Sequence, residues 1–365
     1  MKKFKHLLIL LMTLVLLVGL TACANECEPP EPEYLPEVEE TVEPPEEEET
    51  PPEVEESEEP EEPEEVEEEA PTGSQITGAI HRIEYGDNVV YLFGTIHAYR
   101  EGWTPLADVV EDAMARADVF VAEISSEEMA LMEAMIPEIM FLPDNQTWAD
   151  YLPEEAYDHF VAMTAEWEVG YEEVNTISPS FLIQLLELQL AFSLVDDLAA
   201  GIDASVDAYV MDVAEERGLP TLGLESANQQ IEILYNPPFE VVVAQVMAFG
   251  TPDDVLEFMM AMGTLADMAE WYETNNFQAF QEQFFLYFED EDCLATNYMR
   301  ETVINFRSTY YAQRIAELLR ETEEPTTFFV AVGISHVVRA RGGVEGLTDI
   351  VEQLELLDII AEPIY

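Results

Sequence analysis

The sequence predicts an α+β fold with α/β-like character: a mixed β-sheet core, flanking helices and a large helical middle segment. Three observations predict it. Short runs rich in β-branched and aromatic residues, such as "NVVYLFGTI", "DVFVAEIS" and "TTFFVAVG", recur beyond residue 74 and read as strands. Between them lie segments whose apolar residues recur at helical spacing. From Pro238 to Phe288 a stretch rich in Met, Phe and Leu, including "VLEFMMAMGTLADMAEW", reads as core-filling helix. No internal repeat with a period of about 20 to 50 residues is present.

The chain opens on "MKKFKHLLILLMTLVLLVGLTAC", in which Lys2, Lys3 and Lys5 precede an apolar run that closes on Leu20-Thr21-Ala22-Cys23. This is the arrangement of a secretory signal over residues 1–22 with a small-residue cleavage site. The tetrapeptide resembles a bacterial lipobox and implies a lipoprotein lipidated on Cys23; an uncleaved membrane helix is the alternative. Either reading places the body outside the cytoplasm, at the extracytoplasmic face of the cell membrane. Each buried acyl methylene contributes ~0.8 kcal/mol, so lipid on Cys23 is a sufficient membrane anchor.

Residues 23–74 follow as a spacer dominated by Glu and Pro, with no Lys or Arg from Glu26 to Ser74. Like charges repel and Pro favours extended backbone, so the segment is expected to be a disordered acidic linker. Residues 75–365 then form the folded domain, long enough to bury an ordinary core. Besides Cys23 the chain has Cys27 in the spacer and Cys293 in the body; a disulfide between these two is the alternative and would tie the spacer to the domain, but no disulfide framework is expected. All the lysines lie in the signal, and the formal net charge is −65. Phosphate binding needs clustered Lys and Arg, so nucleic acid is excluded as a partner.

Within the domain, "ITGAIHRIEY" and "NVVYLFGTI" flank Gly86-Asp87-Asn88 and predict an antiparallel hairpin. "TPLADVVEDAMARA" predicts a helix with Thr104 as N-cap and Pro105 in its first position. A second strand ending at Glu123 completes a βαβ-like unit, expected to place the ends of its two strands side by side. "FLIQLLELQLAFSLV" is too short and too polar to span a bilayer, which takes ~20 apolar residues, and reads as a core helix. "SVDAYVMDVAEERG" predicts a helix stopping at Gly218, "LPTLGLE" a strand, and "SANQQIEILY" a further helix. Tyr298 to Glu321 reads as one long amphipathic helix, Thr326 to Gly333 as a buried strand, and "LDIIAEPIY" as a short edge strand.

Two of the five histidines share a pattern: Gly94-x-x-His97 and Gly333-x-x-His336 each follow directly on an apolar strand. A glycine leaving a strand allows close backbone approach, and the histidine three residues on puts imidazole at the sheet's rim. Glu123, at another strand end, adds a carboxylate. Two imidazoles and one carboxylate are a set that holds a divalent metal with positions open for water and substrate. His81, facing a hairpin, and His159, on a polar helix, are not read as catalytic.

The segments "YLFGTIHAYREGWTPL", "VFVAEIS", "GIDASVDAYVMDVAEERGLPTLGLESANQQIEIL", "FRSTYYAQRIAELL" and "FFVAVGISHVVRARGGVEGL" resemble, in order, the successive blocks of the TraB/GumN family. That family is similar to the Tiki proteins, with erythromycin esterase and ChaN-type haem-binding proteins as relatives by fold. The resemblance implies a metal-dependent hydrolase, metalloprotease-like, acting on or limiting extracellular peptides. A non-catalytic protein that sequesters peptides or haem-like ligands is the alternative. It implies that His97 and His336 bind Mn, Co or Zn, with Glu123 as third ligand or general base. Arg307 and Arg100 are implied to stabilise developing negative charge. The family's Arg-Asn pair falls on Arg307 and Ser308, and its Leu-Glu-Thr block on Leu224-Glu225-Ser226 with Gln230 after it. Glu225 is equally suited to pair with an arginine across the core. No oligomeric state is implied.

Overall fold

The computed structural model describes residues 74–143, 146–194, 199–200, 205–283, 288, 293–338 and 346–364. The signal over 1–22, Cys23 and the spacer up to residue 73 lie outside the described residues. Among the described residues there are eight strands: β1 (His81–Tyr85), β2 (Asn88–Thr95), β3 (Ala98–Tyr99), β4 (Val119–Ile124), β5 (Ala199–Ala200), β6 (Thr221–Glu225), β7 (Thr327–Gly333) and β8 (Ala361–Pro363). Six form one sheet in the order β6-β4-β7-β2-β1-β8, and β3 pairs with β5 separately. The four strands from β6 to β2 are parallel, whereas β1 and β8 are antiparallel additions at one edge. The mixed sheet with flanking helices is the α+β arrangement expected.

Burial explains which strands are central. Along β7 every residue from Phe328 to Val332 is buried, and β2 is buried from Tyr91 to Thr95, the continuous apolar pattern of parallel strands covered on both faces. Phe93, Phe329 and Phe120 meet across β2, β7 and β4, with ring centroids 5.6 and 6.4 Å apart. The edge strand β8 is short and exposes Glu362 and Pro363, which discourages further pairing.

The βαβ-like expectation needs one correction. The helix α1 (Asp108–Arg116) does connect β2 to β4, but β7 lies between those two strands. Strand β7 is the most apolar of the set, and the centre of the sheet is where it buries both faces. Neighbouring strands are ~4.8 Å apart, so β2 and β4 end about 10 Å apart with β7 filling the gap. The register aligns Thr95 with Gly333 and Ile124 with Glu225, so the carboxyl ends of four parallel strands share one rim. Helix α1 also starts later than expected. Ala107 is its N-cap, while Pro105 follows a cis peptide bond and lies ahead of the helix.

The remaining principal helices are α2 (Ser126–Ile139), α3 (Pro179–Ser193), α4 (Val206–Glu216), α5 (Ala227–Leu234), α6 (Phe239–Ala248), α7 (Pro252–Met262), α8 (Leu265–Glu273), α9 (Arg307–Glu321) and α10 (Ile350–Leu356). Ser226, Thr251 and Thr264 open α5, α7 and α8 as capping boxes with Gln229, Asp254 and Asp267. The methionine-rich run packs inward as expected, with Met259, Met262 and Met268 buried. No helix among the described residues is long and apolar enough to cross a membrane. Cys293 is disulfide-bonded.

The stretch read as one helix from Tyr298 is three: Leu294–Tyr298 is α-helical, Met299–Phe306 is π-helical, and α9 then begins at Arg307. A π segment rotates the residues after it relative to a regular helix, and such segments concentrate at functional sites. Here it sets the direction in which Arg307 points.

Gly94 is required by close approach. Its N–H donates to Gly78 O at 2.7 Å and its carbonyl accepts from Tyr272 Oη at 2.9 Å. A Cβ there would lie 2.8 Å from Gly78 O and 3.2 Å from Ile334 Cα, both backbone atoms. Gly94→Ala is therefore expected to cost about 1–3 kcal/mol, the range for forcing one carbon into a packed interior. A urea unfolding midpoint unchanged from wild type would show that the strand can shift to admit it.

Candidate functional site

The rim collects the residues singled out at the strand ends. Glu123 closes β4 beside β7: its Oε1 accepts the Gly333 N–H at 2.7 Å, and its Oε2 accepts from Arg307 Nη2 at 2.6 Å. The glycine of the second Gly-x-x-His pattern is thus a backbone donor to the carboxylate, and a Cβ at Gly333 would come within 3.3 Å of the same oxygen. His336 follows in a single 3-10 turn, Ile334–His336, and is 2% exposed.

Arg307, 1% exposed, is the hub of this cluster. Its Nε and Nη2 reach both oxygens of Glu225 at 3.0 to 3.2 Å, a forked pairing that suits guanidinium and carboxylate geometry. Tyr311, one turn along α9, donates to Glu225 Oε2 at 2.8 Å and also meets Arg307 Nη2. Arg307 Nη1 stands 3.5 Å from His336 Nε2, while His336 Nδ1 lies 2.9 Å from Ser308 Oγ. A guanidinium beside Nε2 favours a lone pair there, so the inferred tautomer carries its proton on Nδ1 and donates to Ser308. Serine at 308 is used: it fixes the His336 ring.

The electrostatics follow from burial and these contacts. Burial disfavours the ionised form of Glu123, but Arg307, with the Gly333 N–H adding to it, holds the carboxyl down at about 2. Burial and then Arg307 push His336 down to about 3, so it is neutral in the physiological range and Arg307 is the cation that matters to Glu123. Burial works against charge on Arg307 as well, yet Glu225, Tyr311 and Glu123 keep it protonated well above its ordinary range.

His97 belongs to a second group. Just past β2, its neighbour Ile96 accepts a backbone bond from Val206 N at 3.1 Å, and β3, immediately after it, pairs with β5. Those links dock the start of α4, capped by Ser205, against the strand end and bring Asp207 to the imidazole. Asp207 Oδ1 accepts from Thr95 Oγ1 at 2.5 Å, and its Oδ2 is 3.0 Å from His97 Nδ1. The second contact is close but poorly aligned: His97 Nδ1 and Nε2 and Asp207 Oδ2 all lack a hydrogen-bond partner among the described residues. Burial pushes the His97 pKa down, but the charge and contact of Asp207, helped by Glu123 and opposed by Arg307, leave it raised above 6.5.

His97, Asp207 and Glu123 line a cavity of about 250 Å³, with Gln230 among its walls. The Gln230 side chain is 1% exposed and its Nε2 also lacks a partner among the described residues. Neither His336 nor Arg307 lines this cavity. Arg100, expected near the chemistry, pairs instead with Glu273 at 2.8 Å and is not part of the lining. His81 and His159 bond the backbone carbonyls of Ala79 and Phe249, which are structural roles.

The same contacts bear on the expected ligand set of His97, His336 and Glu123. A divalent cation binds carboxylate oxygen at about 2.0–2.2 Å, so on Glu123 Oε2 it would sit within about 5 Å of the guanidinium nitrogen already bonded there. Like charges repel strongly at that range in a buried site. Among the described residues no group of three His, Cys, Asp or Glu side chains is arranged to hold a metal ion. The three residues as placed do not fit a shared cation. What the arrangement offers chemically is a proton acceptor at His97, with a carboxylate 3.0 Å from Nδ1 and both ring nitrogens without a hydrogen-bond partner among the described residues.

Sequence reasoning missed Asp207. An aspartate in the first turn of a helix is an ordinary stabiliser of the helix dipole, and only the docking of α4 onto Ile96 makes it the partner of His97. A titratable cluster beside a cavity at the carboxyl ends of parallel strands is the ligand site of an α/β-like sheet. The chain belongs to the TraB/PrgY/gumN family, whose model matches residues 79–350. No curated protein and no solved structure matches the chain.

Proposed function

We propose that the chain is a hydrolase of the peptidase kind, acting on extracellular peptides from the outer face of the cell membrane, to which lipid on Cys23 holds it. The observation that carries the reading is His97 with Asp207 3.0 Å away, its ring nitrogens without a hydrogen-bond partner among the described residues, in the wall of a cavity of about 250 Å³. His97 takes a proton from water as the water oxygen attacks the substrate carbonyl. It then returns the proton to the leaving amine, and Asp207 stabilises the imidazolium in between. The Arg307 cluster keeps Glu123 ionised beside this step and holds the strand ends in register.

The test is a mixture of unlabelled peptides incubated with the purified full chain and read by mass spectrometry for new termini. One arm contains EDTA and others contain Mn²⁺, Co²⁺ or Zn²⁺. New termini that disappear in His97→Ala support the hydrolase. Cleavage that stops on chelation and returns with one of the cations would give that cation a place the described donor set does not provide. Peptides retained on the protein without cleavage in any arm overturn the reading in favour of a sequestering protein.

A further inference from the structure

The cavity beside His97 has a direction. Asp207, Met211 and Glu215 are spaced by four along α4 and all line it, as does Asp212. At ~1.5 Å of rise per residue, Glu215 lies about 12 Å along the helix from Asp207. The cavity therefore runs along one face of α4, from the imidazole to a mouth at Glu215, where Ser126 Oγ of α2 donates to Glu215 Oε1 at 3.2 Å. Opposite, Met129 and Met132 of α2 supply a flexible apolar wall that moulds itself to varied side chains.

The charges along this path are one-sided. Among the described residues no Lys or Arg lines the cavity. Glu123 is paired with Arg307, and Asp207 Oδ2 stands 3.0 Å from His97 Nδ1, so each inner carboxylate faces a basic side chain. Asp212 and Glu215 at the mouth have no basic partner among the described residues. Inside, the buried Gln230 has an amide N–H without a partner among the described residues, the donor a peptide carbonyl needs.

We propose that this groove selects an extended, apolar peptide segment bearing an ammonium group three to four residues from the bond cut. Gln230 takes a backbone carbonyl, the methionines take the intervening side chains, and Asp212 with Glu215 takes the positive charge. The spacing follows from the length of the path, because extended chain advances ~3.3–3.6 Å per residue and the path is about 12 Å. The ammonium comes either from a lysine side chain or from a free amino terminus. The proposal rests on the hydrolytic reading of His97 and names its substrate class.

Quenched-fluorescence peptides of one apolar sequence test it, with a single Lys, norleucine or Glu moved position by position away from the cut bond. One series is N-acetylated and a second has a free amino terminus and no Lys, which separates the two sources of charge. Binding of the same peptides to the His97→Ala chain is followed by fluorescence anisotropy, independently of turnover. Lys at the third or fourth residue is expected to exceed Glu by about tenfold in kcat/KM, the scale of two exposed charge contacts. The ratio should fall towards one in the Asp212→Asn, Glu215→Gln double variant and at high salt, and persist in Glu216→Gln, which lies outside the cavity. A ratio near one in the wild type, or one that survives the double variant, overturns the groove while leaving the hydrolase intact. Charge-selective binding with no cleavage of any peptide does the reverse.

Discussion

Arg307→Met is expected to destabilise the fold by about 3–5 kcal/mol at neutral pH, a large share of the 5–15 kcal/mol that holds an ordinary domain together. The side chain it removes is 1% exposed and bonds two carboxylates, Glu123 and Glu225, that are themselves buried. The hydrophobic replacement fills the volume but leaves those carboxylates without a cation, and uncompensated buried charge is what makes breaking such clusters costly. The pH dependence identifies the cause. In the wild type Glu123 is held at about 2, so its contribution is complete above its ordinary 4.5 and is lost as pH falls from there towards 2. Without Arg307, burial is left to raise the same carboxyl, and the sign reverses: stability is then regained as pH falls and Glu123 binds its proton. Urea unfolding at pH 7 and pH 5 should show the deficit of the variant narrowing at the lower pH. An equal deficit at both would mean that lost packing, not stranded charge, is responsible. Arg307→Lys should recover only part of the loss, because one ammonium cannot reproduce the forked contact with Glu225.

The same cluster shows what sequence pattern carries and what it does not. His97, Glu123 and His336 were legible because each ends an apolar run, and a strand end is a local property. That the three ends share one rim required the run most apolar on both faces, β7, to be central, and that much agrees with its composition. Which strands flank it did not follow, since the pairing of parallel strands is decided by crossovers that leave no mark on either strand. The pairing of Arg307 with Glu123 and Glu225 comes directly after a π segment. Over Met299–Phe306 the apolar spacing passes for an ordinary amphipathic helix, so the departure is invisible in the residues alone. Arg100, three positions beyond His97, pairs with Glu273 and is absent from the lining of the cavity, so nearness in sequence to a site residue did not make it part of that wall.

Asp207→Asn is expected to lower kcat/KM for peptide cleavage by about 10²- to 10⁴-fold while moving the acid limb of the pH profile to lower pH. The two effects have separate origins. A general base must be neutral, so activity rises with pH through the pKa of His97, which the aspartate's charge holds above 6.5 against the effect of burial. Asparagine removes that charge, and the opposing influences, burial and the Arg307 guanidinium, then carry the imidazole below its wild-type position. The plateau nonetheless falls, because the imidazolium formed when water gives up its proton no longer has a carboxylate to stabilise it, and an amide does not dictate which ring nitrogen carries the hydrogen. Thr95 Oγ1 reaches the side chain at 2.5 Å in the wild type and can bond an asparagine oxygen equally well, so the substitution tests charge rather than folding. Imidazole resonances followed by NMR give the His97 titration without reference to turnover. A limb that stays in place while those resonances shift would assign the base to another group. A limb that shifts with them, together with the lowered plateau, fixes His97 as the group whose proton is counted in the rate.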